Sequence, residues 1–377
     1  MFRVGRELPL VVVSPRPWFP GQGLIRRFRP RFRPPAPHEE IQQGVRVYFP
    51  RFLALPGVLR RLDGFFMALG SYRLVRRLQR EEGFNLIDAH FAYPDGYAAT
   101  RLGRWLKLPV TITLRGTEVP HARRPALRRR LLAALRDADR VFSVSAALKE
   151  HVVALGATEE KIEVVGNGVD PEKFRPVPKQ EARERLGLEG EGPVLITVGG
   201  LVERKGFHRV IELLPRLLRR HPELVYLVVG GPSPEGDWSQ RLRQQVSSLG
   251  LEERVRFLGP VAPRELRFPL SAADLFVLAT SNEGWANVFL EAMACGLPVV
   301  TTDVGGNREV VCSDTLGIVV PFGEPEPLAD ALLEALEREW DREAIIAHAR
   351  ANSWDGRVRT LVAAFERVIR ERERREP

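Results

Sequence analysis

Short β-branched apolar runs separated by segments of helical period recur along the chain, in two series. Runs of this kind fall at 8–13, 45–48, 86–89, 110–114, 140–144 and 161–165, and again at 194–198, 225–229, 255–258, 275–278, 298–301 and 317–320. Helix-period segments lie between most of them, for example 95–106, 146–155, 206–220, 287–295 and 325–338. Strands alternating with helices predict parallel sheets covered on both faces. The two series are parted by FRPVPKQ at 174–180, shortly after the turn Asn167-Gly168. Proline and turn residues clustered in this way predict a boundary. A length of 377 residues suits two domains of ~100–200 residues each. We therefore predict an α/β chain with two domains, 1–175 and 176–350, followed by a helical segment at 351–377.

Charge narrows the partners. The formal net charge is +9, nearly all of the positive side chains are arginine, and Arg26, Arg27, Arg29, Arg31 and Arg33 fall together. In LRRLDGFFMALGSYRLVRRLQRE, apolar and basic residues recur at helical spacing, as a helix lying on an anionic membrane surface requires. No nucleic-acid-binding motif is visible, so no nucleic-acid partner is expected. No apolar run approaches the ~20 residues that cross a bilayer, and MFRVGRELPLVVVSP lacks the form of a signal peptide. Cys295 and Cys312 are too few for a disulfide framework or a structural zinc site. These features predict a cytoplasmic protein, peripheral on the inner face of the membrane.

In parallel sheets, ligands bind beyond the carboxyl ends of the strands. The run 194–198 ends in Gly199-Gly200, and Arg204-Lys205-Gly206 follows. The run 275–278 is followed by Asn282, Glu283, Gly284, Trp285 and Ala286, and a helix is expected from Asn287. Glycines let the backbone approach a ligand closely, and the N–H groups of a helix start favour an anion. Adjacent cations suit a diphosphate, while Glu283 and Glu291 can accept hydrogen bonds from hydroxyls. A nucleotide sugar has this layout, with phosphates between two hydroxyl-bearing rings. In the first half, strand ends lead into His90, into Arg115 and Thr117, and into Ser145.

The segment EGWANVFLEAMACGLPVVTTDVGGNREVV at 283–311 resembles the donor-site signature of glycosyltransferase family 4. Further likeness lies in Asn167-Gly168-Val169-Asp170 with Phe174, in ERKG at 203–206, in FLGPV at 257–261, in DAHFAYPDG at 88–96 and in TITLRGTEV at 111–119. The resemblance covers most of residues 45–365. It implies the GT-B fold, with two Rossmann-like domains whose parallel sheets face across a cleft. It also implies a retaining, metal-independent transferase that needs no cofactor, the nucleotide sugar being a substrate. By the same resemblance, Glu283 and the N–H groups of Gly284, Trp285, Ala286, Asn287 and Val288 would hold sugar and phosphate. Glu291 would hold the ribose, and Leu258 and Val261 would lie near the base. Lys205 would neutralise the diphosphate, and His90 would touch the transferred sugar. Gly199, Gly200, Arg115, Thr117, Ser145 and Asn167 complete the expected substrate-binding set. The last helix would cross back to the first domain near Trp354.

Three departures from the family pattern stand out. Gly200 occupies a position where arginine is frequent, and Arg204 is expected to supply that charge. Arg115-Gly116 replaces a His-Gly pair. The first βα unit is expected to be missing, because a proline-rich turn follows the run at 8–13. The expected function is transfer of a sugar to a glycan or lipid-linked acceptor in cell-surface or exopolysaccharide synthesis. The rivals are an inactive relative that binds a nucleotide or a partner, and a nucleotide-sugar epimerase. Asp137-Ala-Asp139 lies late in a predicted helix and is discounted as a metal signature.

Overall fold

The computed structural model of the chain describes residues 2–28, 32, 33, 35, 37–55 and 60–374. Arg29 and Arg31 of the basic cluster, with much of the proline-rich stretch 29–37, lie outside the described residues. The chain divides into two compact units. One runs to Gly166 and resumes at Val358, and the other is Asn167–Arg357.

In the first unit the strands are β1 (Val12–Val13), β2 (Arg16–Trp18), β3 (Glu39–Gln42), β4 (Val45–Tyr48), β5 (Arg51–Leu53), β6 (Ile87–His90), β7 (Val110–Leu114), β8 (Arg140–Ser143) and β9 (Ile162–Val164). Strands β6-β7-β8-β9 form a parallel sheet, with Ile112 opposite both Ala89 and Val141. All five residues of β7 are buried, as a strand covered on both faces requires. The helices are α1 (Gln22–Phe28), α2 (Asp63–Glu82), α3 (Tyr97–Leu106), α4 (Glu118–Ala122), α5 (Pro125–Asp137) and α6 (Ala146–Ala154). Helix α2 carries Asp63 in its first turn and stops at Gly83, whose φ of +68° favours glycine. On its buried face, Met67, Ala68 and Val75 pack with Phe52, Ala98 and Leu102.

The expected absence of a first βα unit is corrected by residues 12–48. Strand β1 leads through β2 and a turn into α1, and β4 then pairs with β1 in parallel, Val12 opposite Val47. Of the run 8–13 only two residues form the strand. Pro15, Pro17 and Pro20 interrupt the local pattern, because proline removes ladder donors. The strand and the helix are both short, two and seven residues.

In the second unit the strands are β10 (Val194–Val198), β11 (Val225–Val229), β12 (Val255–Gly259), β13 (Leu275–Leu278), β14 (Val299–Thr302) and β15 (Gly317–Val320). They form one parallel sheet in the order β12-β11-β10-β13-β14-β15. The helices are α7 (Lys179–Arg185), α8 (Phe207–Arg220), α9 (Ser239–Ser248), α10 (Arg267–Ala272), α11 (Asn287–Ala294), α12 (Asn307–Val310), α13 (Pro325–Glu337), α14 (Arg342–Ala351) and α15 (Trp354–Glu373), the last of which continues into the first unit. On α8, Phe207, Val210, Ile211, Leu214 and Leu217 are fully buried. Each such side chain contributes roughly 1.5–3 kcal/mol of burial free energy. Gly206 opens α8 at φ +76°, where a Cβ would sit 1.9 Å from the Ala279 carbonyl oxygen. The sheet and the α8 loop therefore meet through backbone at that point.

The expected boundary at 175/176 lies inside the second unit. Val169 accepts from Trp354 N and donates to Asn352 O, Gly168 presses on Ser353 and Trp354, and Phe174 is buried in the core. These contacts reach about 180 residues along the chain, so local punctuation does not reveal them. From Val358, helix α15 packs Val358 and Phe365 against Phe142, Val165 and Val4 of the first unit.

Candidate active site

The order of the second sheet reverses direction between β10 and β13. Such a switch point leaves a crevice at the carboxyl ends of the two strands. Two loops converge there. The loop after β10 carries Gly199, Gly200, Arg204 and Lys205, and the loop after β13 carries Thr280, Asn282 and Glu283. Ser281 N donates to Arg204 O at 2.9 Å and ties the loops together. Gly230 allows β11 to close on the first loop, since a Cβ there would lie 1.7 Å from the Gly199 carbonyl oxygen.

Glu283 is nine-tenths buried and is the focus of this crevice. Its Oε1 accepts from Lys205 Nζ at 2.6 Å, from Arg204 Nη1 at 2.9 Å and from Thr280 Oγ1 at 3.2 Å. Its Oε2 has no donor among the described residues and is not sealed from solvent. The stem of Lys205 lies against Gly199, 3.5 Å from where a Cβ would stand. Arg204 also donates side-on to Glu235, Nε to Oε2 at 2.9 Å and Nη2 to Oε1 at 2.7 Å. The guanidinium holds the Glu235 carboxyl below the usual carboxylate range.

Helix α11 starts beside Glu283. Its first turn leaves backbone N–H groups without helical partners, and its cap residue, Ala286, offers no side-chain acceptor. Asn167 Nδ2 donates to Asn287 Oδ1 at 2.8 Å and orients the first helical residue. Trp285 Nε1 is buried without a hydrogen-bond partner among the described residues. One turn further on, burial pushes Glu291 up to about 7, against the pull of Lys173. Leu258 and Val261 are partly buried against the same core. Glu283, Lys205, Arg204 and the α11 start are thus brought together. Gly200 faces Ser233 instead, 3.0 Å from where its Cβ would lie.

In the first unit His90 ends β6 and Arg115 follows β7. Arg115 Nε donates to His90 Nδ1 at 3.0 Å, and His90 Nε2 faces Asp88 Oδ2 at 3.4 Å. Burial, then the Arg115 cation, pushes His90 down to about 3. Burial raises Asp88 to about 6, against the hydrogen bond from Thr111. Glu118 supports this corner by accepting from Ala92 N at 3.1 Å and Gly116 N at 2.8 Å. Thr117 Oγ1 is buried without a partner among the described residues, whereas Ser145 Oγ is committed to capping α6 by accepting from Leu148 N at 3.2 Å.

Asp137 pairs with Arg101 and Arg104, and Asp139 accepts from Val110 N at 2.8 Å. No group of three or more His, Cys, Asp or Glu among the described residues is disposed to hold a metal ion. Cys295 is buried, and its thiol is pushed up to about 12.

Sequence reading missed Glu235 and Asp88. Glu235 lies in a turn, 31 residues from Arg204, and carries no local signal. Asp88 did carry one, because residues two apart on a strand share a face with each other.

Residues 178–352 match the profile of glycosyl transferases group 1, and residues 11–173 match that of glycosyltransferase family 4. A putative teichuronic acid biosynthesis glycosyltransferase, TuaC of Bacillus subtilis, is 30% identical over 88% of this chain and 80% of its own length. A D-inositol 3-phosphate glycosyltransferase of Geodermatophilus obscurus is 36% identical over 62% of this chain and 54% of its own. The chain thus spans about half the length of the D-inositol 3-phosphate relatives it matches. Among solved structures, Anabaena HepE in complex with UDP and glucose superposes with a TM-score of 0.72 at 23% identity, covering 86% of this chain and 87% of that one.

Proposed function

We infer that this chain, which belongs to the group 1, family 4 glycosyltransferases, moves a sugar from a nucleoside-diphosphate sugar to an acceptor hydroxyl with retention of configuration. The observation that carries this reading is Glu283. One of its oxygens is saturated by two cations, and the other is open beside a helix start. A sugar hydroxyl would donate to Oε2, and the diphosphate would lie between Lys205 and the N–H groups of Gly284 to Val288. Glu291 would take the ribose hydroxyls, and Leu258 and Val261 would flank the base. The UDP and glucose held by HepE are consistent with such a donor.

In the reaction, the bond from the anomeric carbon to the phosphate oxygen breaks, and its electron pair stays on the nucleoside diphosphate. The acceptor oxygen bonds to the anomeric carbon on the same face, and its proton passes to the leaving phosphate. Lys205 and the helix start would stabilise the charge that develops there, an effect worth about 3–4 kcal/mol per well-placed donor. No pair of carboxylates flanking a scissile bond is invoked.

The acceptor would be a glycan or a lipid-linked glycan, with the first unit resting on an anionic membrane surface. Support comes from α2, whose exposed stripe runs Phe65, Leu69, Arg73, Arg76, Arg77 and Arg80. On α1, Leu24 and Phe28 are 66% and 79% exposed beside Arg26 and Arg27. Apolar tips among arginines fit a headgroup layer. No described helix is long and apolar enough to cross a membrane.

The test is incubation with UDP-, GDP- and ADP-sugars and a panel of lipid-linked and soluble glycans. Acceptor-dependent release of nucleoside diphosphate with an α- or β-linkage matching the donor supports the reading. An epimerised nucleotide sugar without acceptor, or nucleotide binding without turnover on any acceptor, contradicts it.

A further inference from the structure

We propose that Arg204 and Glu235 form a positioning pair that aims Glu283 at the donor sugar, leaving Lys205 as the side-chain cation that meets the diphosphate. The proposal rests on the reading that Glu283 holds that sugar.

A count of donors separates the two neighbouring cations. A guanidinium has five N–H groups in a fixed plane. Arg204 spends Nε–H and one Nη2–H on the Glu235 carboxylate, and both Nη1–H groups on Asn282 O at 2.7 Å and Glu283 Oε1 at 2.9 Å. One N–H remains. Lys205 spends one N–H on Glu283 Oε1, and the other two have no acceptor among the described residues. A phosphate oxygen could take two N–H groups from Lys205 without breaking a bond, whereas Arg204 has a single N–H to give and a second would cost it a protein partner.

Charge points the same way. Glu235 neutralises Arg204 through a side-on pair, the strong geometry for guanidinium and carboxylate. A carboxylate so placed opposes a nearby anion. The pair therefore suits a clamp better than a phosphate ligand.

The turn that carries Glu235 is tied by hydrogen bonds. Ser233 and Gly236 exchange backbone hydrogen bonds at 2.9 and 3.0 Å, and Glu235 N donates to Ser233 Oγ at 3.2 Å. Leu201 N donates to Gly231 O at 2.8 Å and fixes this turn against the loop after β10. Ser233 also fills the space beside Gly200, so a side chain at that position would have to displace it. Arg204 therefore does not replace the charge absent at Gly200, as the sequence reading expected. It crosses from Glu235 to Glu283 and fixes the carboxylate, with Oε1 inward and Oε2 outward.

The experiment measures Kd for UDP, GDP and ADP, and Kd and turnover for their glucose conjugates, in R204A, E235A, E235Q, K205A and wild type. R204A and E235A are expected to bind the preferred diphosphate within about twofold of wild type while losing about tenfold or more in sugar-conjugate turnover. The double variant R204A/E235A should be no worse than R204A, because the two act as one unit. E235Q keeps the shape and a neutral acceptor, and should fall between wild type and E235A. K205A should weaken the free diphosphate itself. The proposal is overturned if R204A weakens the diphosphate as K205A does, or if the R204A and E235A losses multiply. If E283Q leaves sugar-conjugate turnover intact, or wild type binds none of these probes, the underlying reading fails instead, and this proposal with it.

Discussion

Arg115 Nε donates to His90 Nδ1 at 3.0 Å, and this contact selects the ring's tautomer. With Nδ1 accepting, the proton of the neutral ring sits on Nε2, facing Asp88 at 3.4 Å. Burial and the adjacent guanidinium drive His90 down to about 3. We predict that NMR titration of the His90 ring detects no imidazolium between pH 5 and 8. In R115M the midpoint should climb toward the ordinary ~6.5. A titration near 6.5 in the wild type would contradict the account. In linkage terms, the unfolded chain protonates His90 below ~6.5 while the folded chain resists until about 3. This residue therefore costs stability as pH falls through that window.

Glu291 provides the opposite sign. Burial raises its carboxyl to about 7, so the folded chain holds a proton that the unfolded chain releases near ~4.5. Stability is lost as pH rises from that unfolded value through about 7. E291Q removes the buried charge. Its Tm should match wild type near pH 4.5 and exceed it by several degrees at pH 8. The same variant should bind nucleoside diphosphate about tenfold more weakly, a trade of stability for binding. Equal melting temperatures at both pH values would show that the carboxylate is not desolvated.

Gly305 stands at φ +52°, and a Cβ there would lie 1.7 Å from the Glu283 carbonyl oxygen. G305A must move backbone at the residue on which the site depends. We expect a loss of about 2–4 kcal/mol in stability or failure to accumulate as soluble protein. Any folded fraction should show impaired sugar-conjugate turnover with the first unit's His90 resonances unchanged. Wild-type stability and turnover together would disprove the close approach.

The stripe on α2 predicts binding to vesicles of anionic phospholipid that falls as salt rises, because exposed charges are screened within ~10 Å at 0.1 M. The variant R73E/R76E/R77E should lose this binding while retaining turnover on a soluble acceptor. Salt-insensitive binding, or none to anionic vesicles, would remove the membrane from the account.

Elements built from local pattern were legible in the sequence. Strand β10 spans Val194–Val198 and β11 spans Val225–Val229, the same residues that the apolar runs mark. Helix α11 begins at Asn287, where the helix-period segment 287–295 predicts a helix start. Pairings made only in three dimensions were not legible. Arg204 looked like a charge to be offered to a ligand until Glu235, on another loop, was seen to hold it. The division after Gly166 depends on Trp354 and Ser353, far along the chain. The run 8–13 marked β1 but not its shortness, since only Val12 and Val13 pair before Pro15.

The central claim is that the second unit grips a nucleoside-diphosphate sugar through Glu283, Glu291 and Lys205. Thermal unfolding in the presence of UDP-, GDP- and ADP-sugars tests it most directly, since a ligand at 100 times its Kd stabilises the folded state by about 2.7 kcal/mol. The account predicts that one nucleotide class raises the wild-type Tm by several degrees and that K205A and E291Q lose most of that rise. A wild type indifferent to all three classes, or variants that respond as wild type does, would contradict it.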